Sequence, residues 1–240
     1  MMAQLVKRIL NRAGFDITRY DVQSNPVARR AQLLKRNKIN IVLDVGANHG
    51  QYGLQLRGIG YTGRIISFEP VSAVYKQLVI NANKDALWET FKFALGNAAD
   101  TAEINIANNT YSSSLLAMKP LHLASAPESK YVATERIEVR RLDKLFADRF
   151  SIDDNLFLKI DTQGYDKKVL EGANGILKYA KLIQVEMSLV PLYDNEPTWD
   201  EVLNYMKELG YRLVSIESGF TDEASSHLLQ IDGIFERLVA

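Results

Sequence analysis

Ile39-Asn-Ile-Val-Leu-Asp-Val-Gly-Ala-Asn-His-Gly50 is the stretch on which the reading of the whole chain turns. Its first half, Ile39 to Val45, is a short β-branched apolar run, the pattern of a strand buried on both faces. Its second half is a turn with glycines at 46 and 50, where the lack of a Cβ lets backbone approach a ligand closely. Asp44 stands just inside the strand end and Asn48 takes the middle of the turn. A dinucleotide fingerprint, G-x-G-x-x-G, would instead carry glycine at that middle position and offer helix N–H groups to a pyrophosphate. A carboxylate ahead of the turn suits a cationic, amino-acid-bearing ligand. S-adenosylmethionine (SAM) has that character, with a sulfonium and an ammonium.

Outward from this turn, strand and helix patterns alternate. Arg64 to Phe68 and Phe91 to Leu95 read as the second and third strands, with Ser72 positioned to cap the helix between them. Leu156 to Ile160, Leu182 to Met187, Tyr211 to Ile216 and Leu228 to Phe235 continue the series. Tyr165, Val169, Leu170, Ala173, Ile176 and Leu177 fall at helical spacing, and Thr198-Trp-Asp-Glu201 is a capping box for a helix that Gly210 ends. This rhythm predicts a doubly wound α/β domain with a mostly parallel sheet and helices on both faces. The connection Glu217 to His227 is too short for a parallel crossover, so the last strand is expected to be antiparallel. Ala102 to Ile106 and Glu135 to Arg140 are also strand-like. The polar segment between them, Asn108 to Lys130, is long enough to be a functional loop or lid. Residues 1–37 read as a basic helical extension and residues 38–240 as the domain. Leu5, Val6, Ile9 and Leu10 sit among Lys7, Arg8 and Arg12, which suggests a helix packed on the domain, or else one that meets a membrane surface or a partner.

The bulk composition narrows the function classes. The 240 residues are 47% hydrophobic and 24% charged, as in an ordinary globular chain. Lys plus Arg and Asp plus Glu each total 29, and this balance argues against a nucleic-acid partner, which needs a basic surplus. The absence of cysteine rules out disulfides, thiol nucleophiles and cysteine zinc sites, and fits a reducing cytoplasm. No apolar run approaches the roughly 20 residues of a membrane span.

Acids and small residues recur at the predicted strand ends, where ligands of open α/β sheets bind. Glu69-Pro70 ends the second strand, and a carboxylate there can accept the hydroxyls of an adenosine ribose; it reads equally as a solvated glutamate before a proline turn. Ala94-Leu95-Gly96-Asn97 offers small and apolar groups to flank an adenine, or is an ordinary turn. With Asp44, Gly46, Ala47, Asn48 and Gly50, these form the expected SAM site, joined by Asp161 and Gln163 after the fourth strand.

The segments LDVGANHGQYG, IISFEP, FALGN, RLDKL and FLKIDTQGYDKKVLEGA resemble, in this order and spacing, the FkbM family of methyltransferases. The resemblance covers roughly residues 40 to 236, and its most specific part is LKIDTQGYDKKVLEGA. It implies a seven-stranded class I SAM-methyltransferase (Rossmann-like) fold and transfer of a methyl group to a hydroxyl of a sugar, glycan or natural-product acceptor. For that chemistry Asp161 is the first candidate base, with the rival role of ordering its own turn. Glu186 at the next strand end and His49 in the turn are alternatives. Asp161 and Glu186 could instead hold a divalent metal, as in catechol-type methyltransferases, but no third ligand is evident. Ser113, Tyr165 and Tyr193 are the candidate acceptor contacts; Trp199 is a further rim aromatic, and His122 and His227 read as loop residues. A nicotinamide oxidoreductase, a nucleic-acid N-methyltransferase with an Asn/Asp-Pro-Pro-aromatic motif, and a non-catalytic SAM-fold module are the competing readings. The first two lack their motifs here.

Overall fold

Parity along the strands organises this protein. The computed structural model describes residues 2–146 and 148–238. Among them the strands are β1 (Ile41–Val45), β2 (Arg64–Phe68), β3 (Trp88–Phe91), β4 (Ala94–Leu95), β5 (Asp100–Ala107), β6 (Tyr131–Arg140), β7 (Leu156–Ile160), β8 (Ala180–Ser188), β9 (Tyr211–Ser218) and β10 (Gln230–Arg237). The helices are α1 (Met2–Arg12), α2 (Pro26–Arg36), α3 (Gln51–Gly58), α4 (Ser72–Ala82), α5 (Pro120–Ser125), α6 (Leu142–Leu145), α7 (Asp166–Ala173) and α8 (Trp199–Glu208).

Seven strands form one sheet in the order β3-β2-β1-β7-β8-β10-β9. β1, β2, β3, β7 and β8 run parallel, while β10 lies antiparallel between β8 and β9. The expected doubly wound fold with an antiparallel last strand is the one observed. Because side chains alternate across a strand, Ile41, Leu43 and Val45 face a core shared with α6, α7 and α8. Val42 faces the opposite core, where α2, α3 and α4 contribute Leu33, Leu34, Leu56 and Leu78. The capping box at Thr198 and Glu201 forms as expected, with Thr198 N–H donating to Glu201 at 2.8 Å.

Three local expectations change. The third strand of the main sheet stops at Phe91, and Ala94–Leu95 crosses into a second sheet of order β4-β6-β5. Ser72 is not a cap: it is the first residue of α4, and its hydroxyl and N–H both donate to Glu135 on β6. The segment expected as a functional loop or lid, Asn108 to Lys130, carries regular structure of its own: it includes α5 and, with the hairpin β5–β6, forms a roof. Asn105 and Ser114 pair across the tip through backbone bonds of 2.9 and 3.1 Å.

The basic N-terminal segment divides in two. α2 packs on the sheet and is stapled by the buried Arg30, which reaches Gln55 on α3 at 3.0 Å and Glu217 on β9 at 3.2 Å. α1 does not pack as anticipated: Val6 and Ile9 are about half exposed, as are Phe15 and Ile17 beyond it. Among the described residues no helix is long and apolar enough to cross a membrane.

Candidate active site

The sheet reverses its winding between β1 and β7, and a cavity of about 250 Å³ opens at the carboxyl ends of these strands. Its floor is Val45, Gly46, Phe68, Glu69, Asp161 and Glu186; its roof, from the second sheet and hairpin, includes Ile104, Tyr111, Ser113 and Leu115. Phe93, Ala94 and Leu95 supply an apolar wall next to Pro70 and Val71.

Glu69 is buried at this wall and holds two turns together. Its Oε2 accepts the N–H of Asn48 at 3.0 Å, and its Oε1 accepts the N–H of Val71 at 2.8 Å. Burial raises its carboxyl to about 7, against those two donors, which favour the charged form. Each oxygen thus accepts one backbone N–H, and the residue borders the cavity. Asn48 takes a positive φ of 49°, and its Nδ2 donates to the Thr110 carbonyl at 3.2 Å, closing the donor-side turn against the roof.

Asp44 is placed differently from the expectation. It is fully buried and does not line the cavity, because strand parity turns it to the α3 side with Val42. There it meets Lys159 of β7, directly opposite in register, with Nζ 3.3 Å from Oδ1; the Ser67 hydroxyl donates to Oδ2 at 3.2 Å. Lys159 Nζ also lies 3.3 Å from Asp161 Oδ2 and 3.4 Å from the Gly46 carbonyl. Burial opposes charge on Lys159, but Asp161 and Asp44 outweigh it and push its pKa up. A cation thus ties the buried acid to the turn above it. Lys159 lies inside the segment LKIDTQGYDKKVLEGA but carries no role in the sequence reading, although a lysine inside the apolar run LFLKI is itself a signal that a partner acid must lie nearby.

Packing alone already requires both glycines. A Cβ on Gly46 would lie 1.8 Å from the Asp161 carbonyl oxygen, and one on Gly50 would press on Leu78 and Trp88. Gly46 still borders the cavity with its backbone, whereas Gly50 and Ala47 lie outside its lining and Ala47 belongs to the core. His49 is likewise off the cavity, edge-on to Tyr111 at 6.4 Å.

At the opposite end of the cavity Asp161, Gln163 and Glu186 are brought together. Gln163, at a positive φ of 53°, donates through Nε2 to Asp161 Oδ1 at 3.0 Å and to Glu186 Oε2 at 2.9 Å. Tyr193 donates to Gln163 Oε1 at 2.7 Å. That fixes the amide's orientation; Tyr193 itself is fully buried and does not line the cavity. Glu186 Oε2 also accepts from Gln230 at 3.0 Å. Burial, then the charges of Asp161 and Asp232, push the Glu186 carboxyl well above the ordinary range. Ser113 and Tyr165 do line the cavity, with the Ser113 hydroxyl donating to the Thr110 carbonyl at 3.0 Å. Asp166, which lies in the segment LKIDTQGYDKKVLEGA but is not among the expected site residues, accepts the Thr162 N–H at 3.1 Å and orders the turn after Asp161. Among the described residues no group of three or more His, Asp or Glu side chains is arranged to hold a metal ion.

This donor set fits SAM: a carboxylate at the second strand end, an apolar slot beside it, and a carboxylate at the switch point. The match to known families points the same way. The methyltransferase FkbM domain model matches residues 44–213. Among solved structures, methyltransferase FkbM from Methylobacillus flagellatus KT superposes with a TM-score of 0.52 at 15% identity, over 82% of this chain and 43% of that one. The chain therefore spans less than half the length of that relative. Precorrin-6y C5,15-methyltransferase from Geobacter metallireducens GS-15 has a TM-score of 0.45 at 12% identity, over 89% of this chain and 87% of that one. A putative tRNA (m1A22) methyltransferase of Streptococcus pneumoniae, solved with SAM, has a TM-score of 0.45 at 13% identity, over 88% and 74%. No curated protein matches the sequence. With the family model covering the cavity's floor, its wall and the Asp161 turn, the chain belongs to the FkbM methyltransferase-domain family.

Proposed function

We propose that the protein transfers a methyl group from SAM to a hydroxyl oxygen of a sugar, glycan or natural-product acceptor. The observation that carries this reading is the Asp161–Gln163–Glu186 cluster at the switch point, at one end of a cavity whose other end is Glu69 and an apolar slot. Glu69 would accept the ribose hydroxyls, Ala94, Leu95 and Phe93 would flank the adenine, and Asp161 would face the cationic end. Bound SAM supplies an electrophilic methyl on a positively charged sulfur.

The protein's own contribution is to orient the acceptor and take its proton. Orientation contributes more, ~7–11 kcal/mol when the reacting atoms are held in near-attack geometry. A positioned base adds ~10²–10⁴-fold. Asp161 has both oxygens engaged, by Lys159 and by Gln163, so it positions rather than abstracts. Glu186 has both its donors on Oε2, which leaves Oε1 to receive the hydroxyl proton, and burial makes its carboxyl a stronger base. Calorimetry with S-adenosylhomocysteine tests the donor half, and mass spectrometry for a gain of one methyl group across hydroxylated compounds tests the transfer. Glu186→Gln is expected to keep S-adenosylhomocysteine affinity and lower kcat by about 10²–10⁴-fold. Failure of the wild type to bind S-adenosylhomocysteine would overturn the reading.

A further inference from the structure

A second cavity, of about 200 Å³, lies on the other side of the Gln163–Glu186 bridge and shares those two residues and Tyr111 with the first. The hairpin roof gives it Ser112 and Ser129, whose hydroxyls are 2.9 Å apart, and the turn after β9 gives it Phe220. α5 gives it His122. This imidazole is only 3% exposed, it is held edge-on to Tyr193 at 5.1 Å and tilted on Phe220 at 5.4 Å, and its Nδ1 has no hydrogen-bond partner. A buried polar atom without a partner costs about 1–3 kcal/mol, and a ligand hydroxyl is the kind of group that removes that cost.

The charge of the lining selects among ligands. Two carboxylates, Glu128 and Glu186, border the cavity, and no lysine or arginine does so among the described residues. An anion entering here would be desolvated beside like charges, and a nucleic-acid phosphate would find no cation. Hydroxyls, an unpartnered imidazole and the rings of Phe220 and Tyr111 suit a polyol instead.

We propose that this second cavity is the acceptor subsite, and that the part of the acceptor it takes is an uncharged or amine-bearing polyol, hydrogen-bonded by His122 and the Ser112–Ser129 pair with its apolar face on Phe220. The assignment as acceptor rests on the methyl-transfer reading; the ligand class rests on the cavity itself. The test is ligand-observed NMR titration of the full chain, with and without S-adenosylhomocysteine, using three methyl glycosides as probes: a neutral hexoside, its amino-sugar counterpart and its uronic-acid counterpart. The neutral and amino probes are expected to bind about tenfold or more tightly than the uronic acid. His122→Phe should weaken the neutral probe about tenfold, roughly 1.4 kcal/mol, with unchanged S-adenosylhomocysteine affinity. Should His122→Phe fail to fold, the surface variant Glu128→Gln serves instead, and it is expected to narrow the gap between the uronic acid and the neutral probe at least threefold. Equal binding of all three probes, no binding of any, or no response to either variant overturns the proposal. Loss of S-adenosylhomocysteine binding by the wild type, with probe selectivity intact, would overturn the methyl-transfer reading and leave the ligand class standing.

Discussion

Lys159 is the side chain on which the donor turn depends. It sits under the turn, in contact with Asp44, Asp161 and the Gly46 carbonyl at once. Removing one partner of a buried ion pair leaves the other uncompensated and typically costs about 3–5 kcal/mol. Lys159→Met is therefore expected to lower unfolding free energy by about that amount in urea denaturation, and Asp44→Ala by a similar amount. A protein of unchanged stability that merely binds SAM less well would contradict this placement of Asp44. A second residue-scale prediction concerns pH. Burial lifts the carboxyls of Glu69 and Asp166 to about 7 and that of Asp232 to about 6. The folded state then holds these protons more tightly than the unfolded chain, so stability falls as pH rises from about 5 to about 8. Hydroxyls donated to Glu69 favour its ionised form, so S-adenosylhomocysteine affinity rises over the same window and levels off above about pH 8. Thermal melts and calorimetry across that range check both signs. At this scale the sequence is only partly legible. The acids at positions 44, 69, 161 and 186 are all identifiable from strand-end placement, but which of them faces a cavity follows from strand parity. Parity assigns Asp44 to Lys159, and only the neighbouring strand reveals it.

At the scale of elements, β1 and β7 approach so closely that the turn after β1 has no room for a side chain at Gly46. Gly46→Ala is expected to destabilise by more than about 4 kcal/mol, because the clash is with backbone that cannot swing away. Gly60→Ala is the control: it also has a positive φ, of 86°, but nothing lies within 4 Å of the added Cβ, so a cost of about 1–2 kcal/mol is expected. Comparable losses for the two in chemical denaturation would refute the packing explanation. The alternation of strands and helices, the capping box at Thr198 and the antiparallel last strand are readable because each has a local chemical cause. The split at Phe91 is not, since Phe91 to Leu95 is continuously strand-like and the decision between two sheets is made by long-range pairing of Ala94 with Val139. The same holds for Ser72, whose cap is replaced by a carboxylate 63 residues away.

For the molecule as a whole, the N-terminal segment offers a clean division. Among the described side chains of residues 1–20, all are exposed except the half-buried Leu10. Removing that segment is expected to leave the melting temperature and S-adenosylhomocysteine affinity as they were. Removing residues 1–37 exposes the side of the core that Leu33 and Leu34 cover and strands Glu217, the partner of the buried Arg30, so it is expected to lower stability by several kcal/mol. Differential scanning calorimetry of the two truncations distinguishes these outcomes. Composition announces a globular chain with a balanced charge, yet the point at which its fold begins depends on which basic helix the sheet holds.

The second sheet enters the chain as one excursion, leaving after Phe91 and returning at Arg141, whose Nη1 grips the Asn97 carbonyl at 2.6 Å where the two ends meet. Both crossings are thus anchored side by side, like the cuff of a glove. The excursion nevertheless reaches back to the strand ends it overhangs, since Thr110 accepts from Asn48, Glu135 from Ser72, and the Ser114 hydroxyl donates to the Gln163 carbonyl, so any shift of the hairpin is felt at both ends of the cavity.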